Sequence, residues 1–199
     1  MSRLRRHAFI LLALVSAGAG AQLGQTGRGP VPDPRLLAGR AISQEFAAEL
    51  RAALQTALTD KGPAAAIAVC RDEAPRIASR LSAEKGAVVA RTGLRVRNPG
   101  NAPQPWQRAV LDTFEKRVAG GGKPEDLEHF EARADGGARY LKAIVTQPLC
   151  VVCHGETIAP DVRRALEEHY PRDQATGFKV GDLRGAFSIE WPAGKDASP

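Results

Sequence analysis

The hydrophobic pattern of this 199-residue chain predicts an α+β domain, an antiparallel sheet flanked by helices. Three observations carry that expectation. Apolar residues recur at helical spacing through the first half of the chain. Segments that read as strand fall at 88–97, 138–146 and 183–191, interleaved with further helical stretches. No internal repeat is present, and the length suits one domain, or two small ones, at about 100 to 200 residues each.

The first 21 residues read as a secretory signal. Arg3, Arg5 and Arg6 precede the apolar run Ala8 to Ala17, too short to span a bilayer, and Ala19-Gly20-Ala21 supplies a small-x-small cleavage site. Residues 22–40 hold Gly27, Gly29, Pro30, Pro32 and Pro34 and read as a flexible leader outside the core. The folded domain then spans 41–195. Its first helix runs from Ile42 to about Asp60, with Phe46, Leu50, Leu54 and Leu58 every fourth residue and Ser43 as N-cap; Lys61-Gly62-Pro63 ends it.

A second helix starts at Pro63, with Ile67 and Cys70 on its inward face. Pro75 cannot donate to the carbonyl of Arg71, so the helix breaks or kinks there and a short one follows with Ile77 and Leu81 inward. Val88 to Arg97 reads as a strand with Arg95 and Arg97 on a basic face. After the loop 98–103, Trp106, Val110, Phe114 and Val118 mark a helix closed by Gly120-Gly121-Gly122. Ala138 to Thr146 is a strand, a helix spans about Pro160 to His169, and Leu183, Phe187, Ile189 and Trp191 mark a last, half-buried strand.

Composition excludes several classes. With 43% hydrophobic and 25% charged residues the chain is neither wholly disordered, collagen-like nor a polytopic membrane protein. Three of its 28 Lys and Arg leave with the signal, so 25 basic residues face 22 acidic ones, without a dense basic stretch for nucleic acid and without a membrane span after cleavage. Aromatic residues are only 5%, so the core must be filled by aliphatic side chains or by something other than protein.

Three cysteines are an odd number for an exported chain, which disfavours a disulfide framework. Cys150-Val151-Val152-Cys153-His154 is the CxxCH pattern of covalent haem attachment, a chance match at roughly one in a thousand for this composition. Two thiols on one turn reach the two vinyl groups of a porphyrin, and the adjacent His154 is carried beneath the iron as proximal ligand. The competing readings are a thioredoxin-type redox pair, which wants a βαβ context; a zinc site, which needs a fourth ligand from His129, His169 or Cys70; and a plain disulfide. Since Met1 leaves with the signal, a His/Met pair is unavailable. The sixth position falls to Cys70, His129, His169, a lysine or a tyrosine, or stays open. Arg95, Arg97, Lys179 and Arg184 neighbour the expected pocket strands and are candidate donors to the haem propionates. Trp106 and Trp191 are candidates for packing on the macrocycle.

Four segments in order, Ala66 to Ala78 (AIAVCRDEAPRIA), Arg97 to Pro103 (RNPGNAP), Cys150 to Gly155 and Gly177 to Ala186 (GFKVGDLRGA), resemble the bacterial c-type haem family with a PAS-like fold, over about residues 41–192. The resemblance implies one haem c against a PAS-like antiparallel sheet, with His154 below the iron and Cys70 above it. A thiolate ligand would favour ferric iron and a low potential, and its release on reduction would free a site for CO or NO. The chain is therefore expected to be a periplasmic redox- or gas-responsive accessory protein, paired with an unknown redox or signalling partner. The alternative is a low-potential electron carrier. An enzyme would need an open distal position, against which Cys70 ligation argues, and no enzymatic role is expected.

Overall fold

The computed structural model describes residues 31–193. The expected signal peptide and residues 22–30 of the expected leader lie outside the described residues. The leader reading is corrected at its end: helix α1 spans Pro34–Ala68, so residues 34–40 form its first two turns. Asp33, not Ser43, is the N-cap, its carboxylate accepting from the Arg35 backbone N–H at 2.8 Å, and Pro34 occupies the first turn, where its missing donor costs nothing. Ser43 is buried inside the helix.

The break expected at Lys61-Gly62-Pro63 is a kink within α1, at Gly62 with φ 80° and ψ 173°, a left-handed backbone that a side chain would strain. The second expected discontinuity, at Pro75, is resolved without a break. Residues Val69–Glu73 form a π-helical turn in which the Ala74 N–H reaches back to the Val69 carbonyl, and α2 (Ala74–Lys85) continues beyond it. The wider turn relieves the clash that a proline ring makes with the preceding carbonyls.

Strand β1 (Val88–Thr92) is shorter than the alternation predicts. The chain leaves the sheet at Gly93, so Leu94 to Arg97 lie in a loop rather than on a strand face. Helix α3 (Pro105–Ala119) follows as expected. Strand β2 (Glu128–Ala132) was not anticipated. Strand β3 (Ala138–Val145), the one-turn helix α4 (Val151–His154), helix α5 (Pro160–His169) and strand β4 (Leu183–Trp191) complete the fold. The sheet is antiparallel throughout, in the order β1-β4-β3-β2.

Alternation along these strands feeds two cores. On one face Val89, Tyr140, Phe187 and Ile189 pack against Ile42 and Phe46 of α1 and Ile77 and Leu81 of α2. On the other, Leu141, Ala143 and Ala186 pack against Leu111 and Phe114 of α3. A third cluster joins Ile67 near the end of α1 to Val162 and Leu166 of α5, with Cys153 against it. Each buried large aliphatic or aromatic side chain contributes about 1.5 to 3 kcal/mol, and this three-layer arrangement clamps the π turn and α4 beside the first core. Among the described residues no helix is long and apolar enough to cross a membrane.

Candidate functional site

The CxxCH segment forms a tight turn beyond the end of β3, after Pro148, where the backbone closes on itself. The His154 N–H donates to the Cys150 carbonyl at 2.9 Å, and the Cys150 N–H to that of Gln147 at 2.9 Å. This brings Cys150, Cys153 and His154 to one cavity, whose other lining includes Cys70 from the π turn and the apolar side chains of Leu50, Leu54, Ile67, Ile144 and Leu149. Residues 80 positions apart in sequence thus meet in one place. All three cysteine thiols are free.

The histidine is held in one tautomer. Its Nδ1 lies 2.6 Å from the Ala175 carbonyl oxygen, an acceptor only, so Nδ1 carries the proton and Nε2 keeps a free lone pair. Burial, reinforced by the Arg184 and Arg97 charges, holds the imidazole well below its ordinary pKa. A neutral ring tied through Nδ1–H to a carbonyl is the form in which histidine ligates metals. Burial also pushes the Cys153 thiol up to about 11.

A loop carrying Gly177 to Asp182 closes this turn from outside. Phe178 donates its N–H to the His154 carbonyl and Gly177 to that of Gly155, both at 2.9 Å, and the Phe178 ring stands edge-on to the imidazole with centroids 6.4 Å apart. The GFKVGD segment is therefore a lid over the CxxCH turn.

The arginines divide into two kinds. Arg95 does not line the cavity; its guanidinium lies 3.7 Å over the Phe178 ring and donates to the Thr176 carbonyl at 3.1 Å. Arg97 does line it, yet its donors are engaged elsewhere: Nε donates to Asp173 at 2.9 Å and a terminal nitrogen to the Cys153 carbonyl at 2.6 Å and that of Ala175 at 3.3 Å. Both residues brace the site instead of presenting free donors to an anion.

Arg184 differs. The pairing of β3 with β4 steps from Ile144↔Gly185 to Val145↔Leu183, leaving Arg184 as the extra residue of a β-bulge. Bulges re-aim side chains, and this one sends Arg184 into the cavity. Gly185 makes the step possible, since at φ 150° a Cβ would collide with the Thr92 carbonyl oxygen. The Arg184 Nε is buried without a hydrogen-bond partner, and burial, with the Arg97 and Arg91 charges, lowers the guanidinium pKa to about 10.

Sequence reasoning missed Arg91. It pairs with Phe187 across β1 and β4, lines the cavity, and makes no ion pair among the described residues; burial lowers its pKa. The signal was available, because strand alternation puts Arg91 on the same side as the buried Val89. Lys179 pairs with Glu156 at the surface, at 3.6 Å. His129, on β2, and His169, at the end of α5 with its Nδ1 3.3 Å from Arg71, do not line the cavity, and neither do Trp106 or Trp191. Among the described residues no group of three or more His, Cys, Asp or Glu is arranged to hold a metal ion, so the zinc reading lacks its ligands.

The donor set fits a haem. It offers two thiols and an imidazole on one turn, apolar walls, a third thiol, and two guanidiniums unpaired with any carboxylate, one with an orphaned buried N–H of the kind a propionate would satisfy.

Comparison with known proteins agrees with this architecture. A search of curated proteins finds no match. Among solved structures, the crystal structure of the cyanobacterial heme-protein Tll0287 superposes with a TM-score of 0.59 at 25% sequence identity, covering 80% of this chain and 93% of that one. Residues 35–192 match the family described as Tll0287-like, a span that includes both cores, the π turn and the CxxCH turn. The chain belongs to the Tll0287-like family.

Proposed function

We propose that this chain is an exported monohaem c-type cytochrome that works in the periplasm as a redox- or gas-responsive accessory protein. Cys150 and Cys153 would hold the haem through thioethers, His154 and Cys70 would hold its iron, and Arg184 with Arg91 would receive the propionates. One observation carries the reading: Cys70 sits on a π-helical turn and lines the same cavity as the CxxCH triad. When bound, the haem supplies a one-electron couple and a coordination position at which CO or NO can compete. The Tll0287 structure is that of a haem protein, which supports the cofactor.

The chain's own residues give the centre its character. His154, fixed by Ala175 through Nδ1, offers Nε2 as a donor. Cys70 as thiolate donates charge and favours ferric iron, so the potential lies below that of a His/Met cytochrome. A π turn is a local departure from the α-helix, frequently found at functional sites, and the Cys70 segment would be the place where a change at the iron could alter the backbone. The junction of α1 and α2 is the element a signalling partner would read.

One feature favours electron transfer as the second reading. The cavity adjoins a wider opening of about 750 Å³ that shares Leu50, Leu54, Ile144, Leu149, Cys150 and Phe187 with it, so a group attached at Cys150 would lie near that opening. Substituting Cys70→Ala separates these roles. The proposal expects a shifted ferric Soret band, a raised reduction potential and faster CO binding; an unchanged spectrum removes Cys70 from the iron. Ligand exchange with a change in shape supports the sensor, and a fixed six-coordinate centre in both oxidation states supports the carrier.

A further inference from the structure

We propose that Arg97 and Asp173 are a buried charge pair that sets the donor strength of His154, through the carbonyl of Ala175 that they share with it. The inference rests on the reading of His154 as an iron ligand and deepens it by naming the positioning residues behind that ligand.

The geometry is specific. The Ala175 carbonyl oxygen accepts from two donors at once, His154 Nδ1 at 2.6 Å and an Arg97 terminal nitrogen at 3.3 Å. That same Arg97 nitrogen donates to the Cys153 carbonyl at 2.6 Å, within the haem-attachment turn itself. Asp173 completes the unit, one carboxylate oxygen accepting from Arg97 Nε at 2.9 Å and the other from the Ala175 backbone N–H at 2.7 Å. Both side chains are nearly sequestered, Arg97 at 6% exposure and Asp173 at 11%. A buried pair of this kind costs desolvation and adds little net stability over an apolar pair, so stability alone does not account for its presence here.

The chemistry supplies one. An imidazole bound to iron donates more strongly as its Nδ1–H hydrogen bond strengthens, because the ring gains imidazolate character. A guanidinium sharing the acceptor draws electron density from the carbonyl oxygen and weakens that bond. The positive charge also disfavours the ferric centre. Arg97 therefore raises the reduction potential, and Asp173, by neutralising part of the Arg97 charge, lowers it. The two residues hold one geometry and push the potential in opposite directions.

The opposition is the test. In haem-loaded protein, spectroelectrochemical titration of Arg97→Gln is expected to favour ferric over ferrous by about tenfold at fixed potential, a fall of about 59 mV for one electron. Asp173→Asn keeps an acceptor for Arg97 but removes its charge, and is expected to move the ratio the other way. Arg97→Lys, which restores the charge, returns the potential most of the way. A purely structural brace would loosen the site in both variants and shift both potentials in one direction, and that result, or no shift in either, overturns the proposal. Where Arg97→Gln fails to retain haem, Asp173→Asn alone decides: a rise supports the pair, a fall or no change refutes it. Absence of a haem spectrum in the unsubstituted protein would instead refute the underlying ligand reading.

Discussion

Substituting Arg184→Met should have opposite effects on the protein with and without its cofactor. The cavity gathers Arg91, Arg97 and Arg184, and among the described residues only Asp173 forms an ion pair with any of them. Lowering the Arg184 pKa to about 10 from its ordinary value corresponds to about 3 kcal/mol of disfavour for the charged side chain in the folded state, at about 1.36 kcal/mol per pH unit. Arg184 keeps some surface toward the open cavity, where water trims that cost. Its bond to the Arg95 carbonyl at 3.1 Å returns about 1 kcal/mol, and its position 5.1 Å over the Phe178 ring about another 0.5 kcal/mol. The net expectation is that haem-free Arg184→Met unfolds in urea with about 1 kcal/mol more stability than the parent. With haem present the sign reverses, because a propionate loses its donor. Urea titration of both forms checks this. A haem-free variant less stable than the parent would refute the view of Arg184 as a strained cation waiting for an anion.

Three further outcomes are expected. Leu81→Ala, at a fully buried position between α2 and the sheet, should cost about 2 to 5 kcal/mol in denaturant unfolding, and a loss under about 1 kcal/mol would mean the first core is not packed as described. Gly185→Ala should destabilise the fold by about 2 kcal/mol or more, since the new Cβ forces β4 away from the Thr92 carbonyl; a neutral result would contradict the bulge. The Arg40 guanidinium beside Glu128 holds that carboxyl below the usual range, aided by the Tyr140 hydroxyl donating at 2.8 Å. A depressed carboxylate contributes stability above its unfolded pKa of about 4.3 and loses it as the pH falls through the folded value. Glu128→Gln should therefore flatten the acid limb of the stability profile below about pH 4.3, by under about 1 kcal/mol for so exposed a pair. An unaltered limb would exclude the pair as a contributor.

Much of the fold and the centre of the site were legible in the sequence because they rest on local rules. The CxxCH turn places its three chemical groups within five residues, and helices α3 and α5 and strands β3 and β4 follow from spacing alone. Features set by tertiary contact were not legible. Strand β2 is an edge strand carrying Glu128 and Glu131 among few apolar residues, so its composition reads as loop. The alternation of Leu94 and Val96 with Arg95 and Arg97 imitates a continued strand, but Gly93 packs against the Arg184 carbonyl and the chain turns away there. Residues 34–40 look like linker because proline and glycine abound upstream, although Asp33-Pro34 carries a complete helix start. The two roles of the arginines, brace and free donor, depend on which carbonyls and carboxylates stand beside each guanidinium. For Arg97 and Asp173 that partner lies 76 positions away, beyond the reach of any local pattern.

The central claim is a haem covalently held by Cys150 and Cys153, and intact mass spectrometry of protein matured in a host with a c-type cytochrome assembly system tests it most directly. The account predicts a single mass increment of one haem, retained after acid–acetone extraction and lost in Cys150→Ala/Cys153→Ala. Polypeptide mass alone, or a haem that extracts freely, would contradict it.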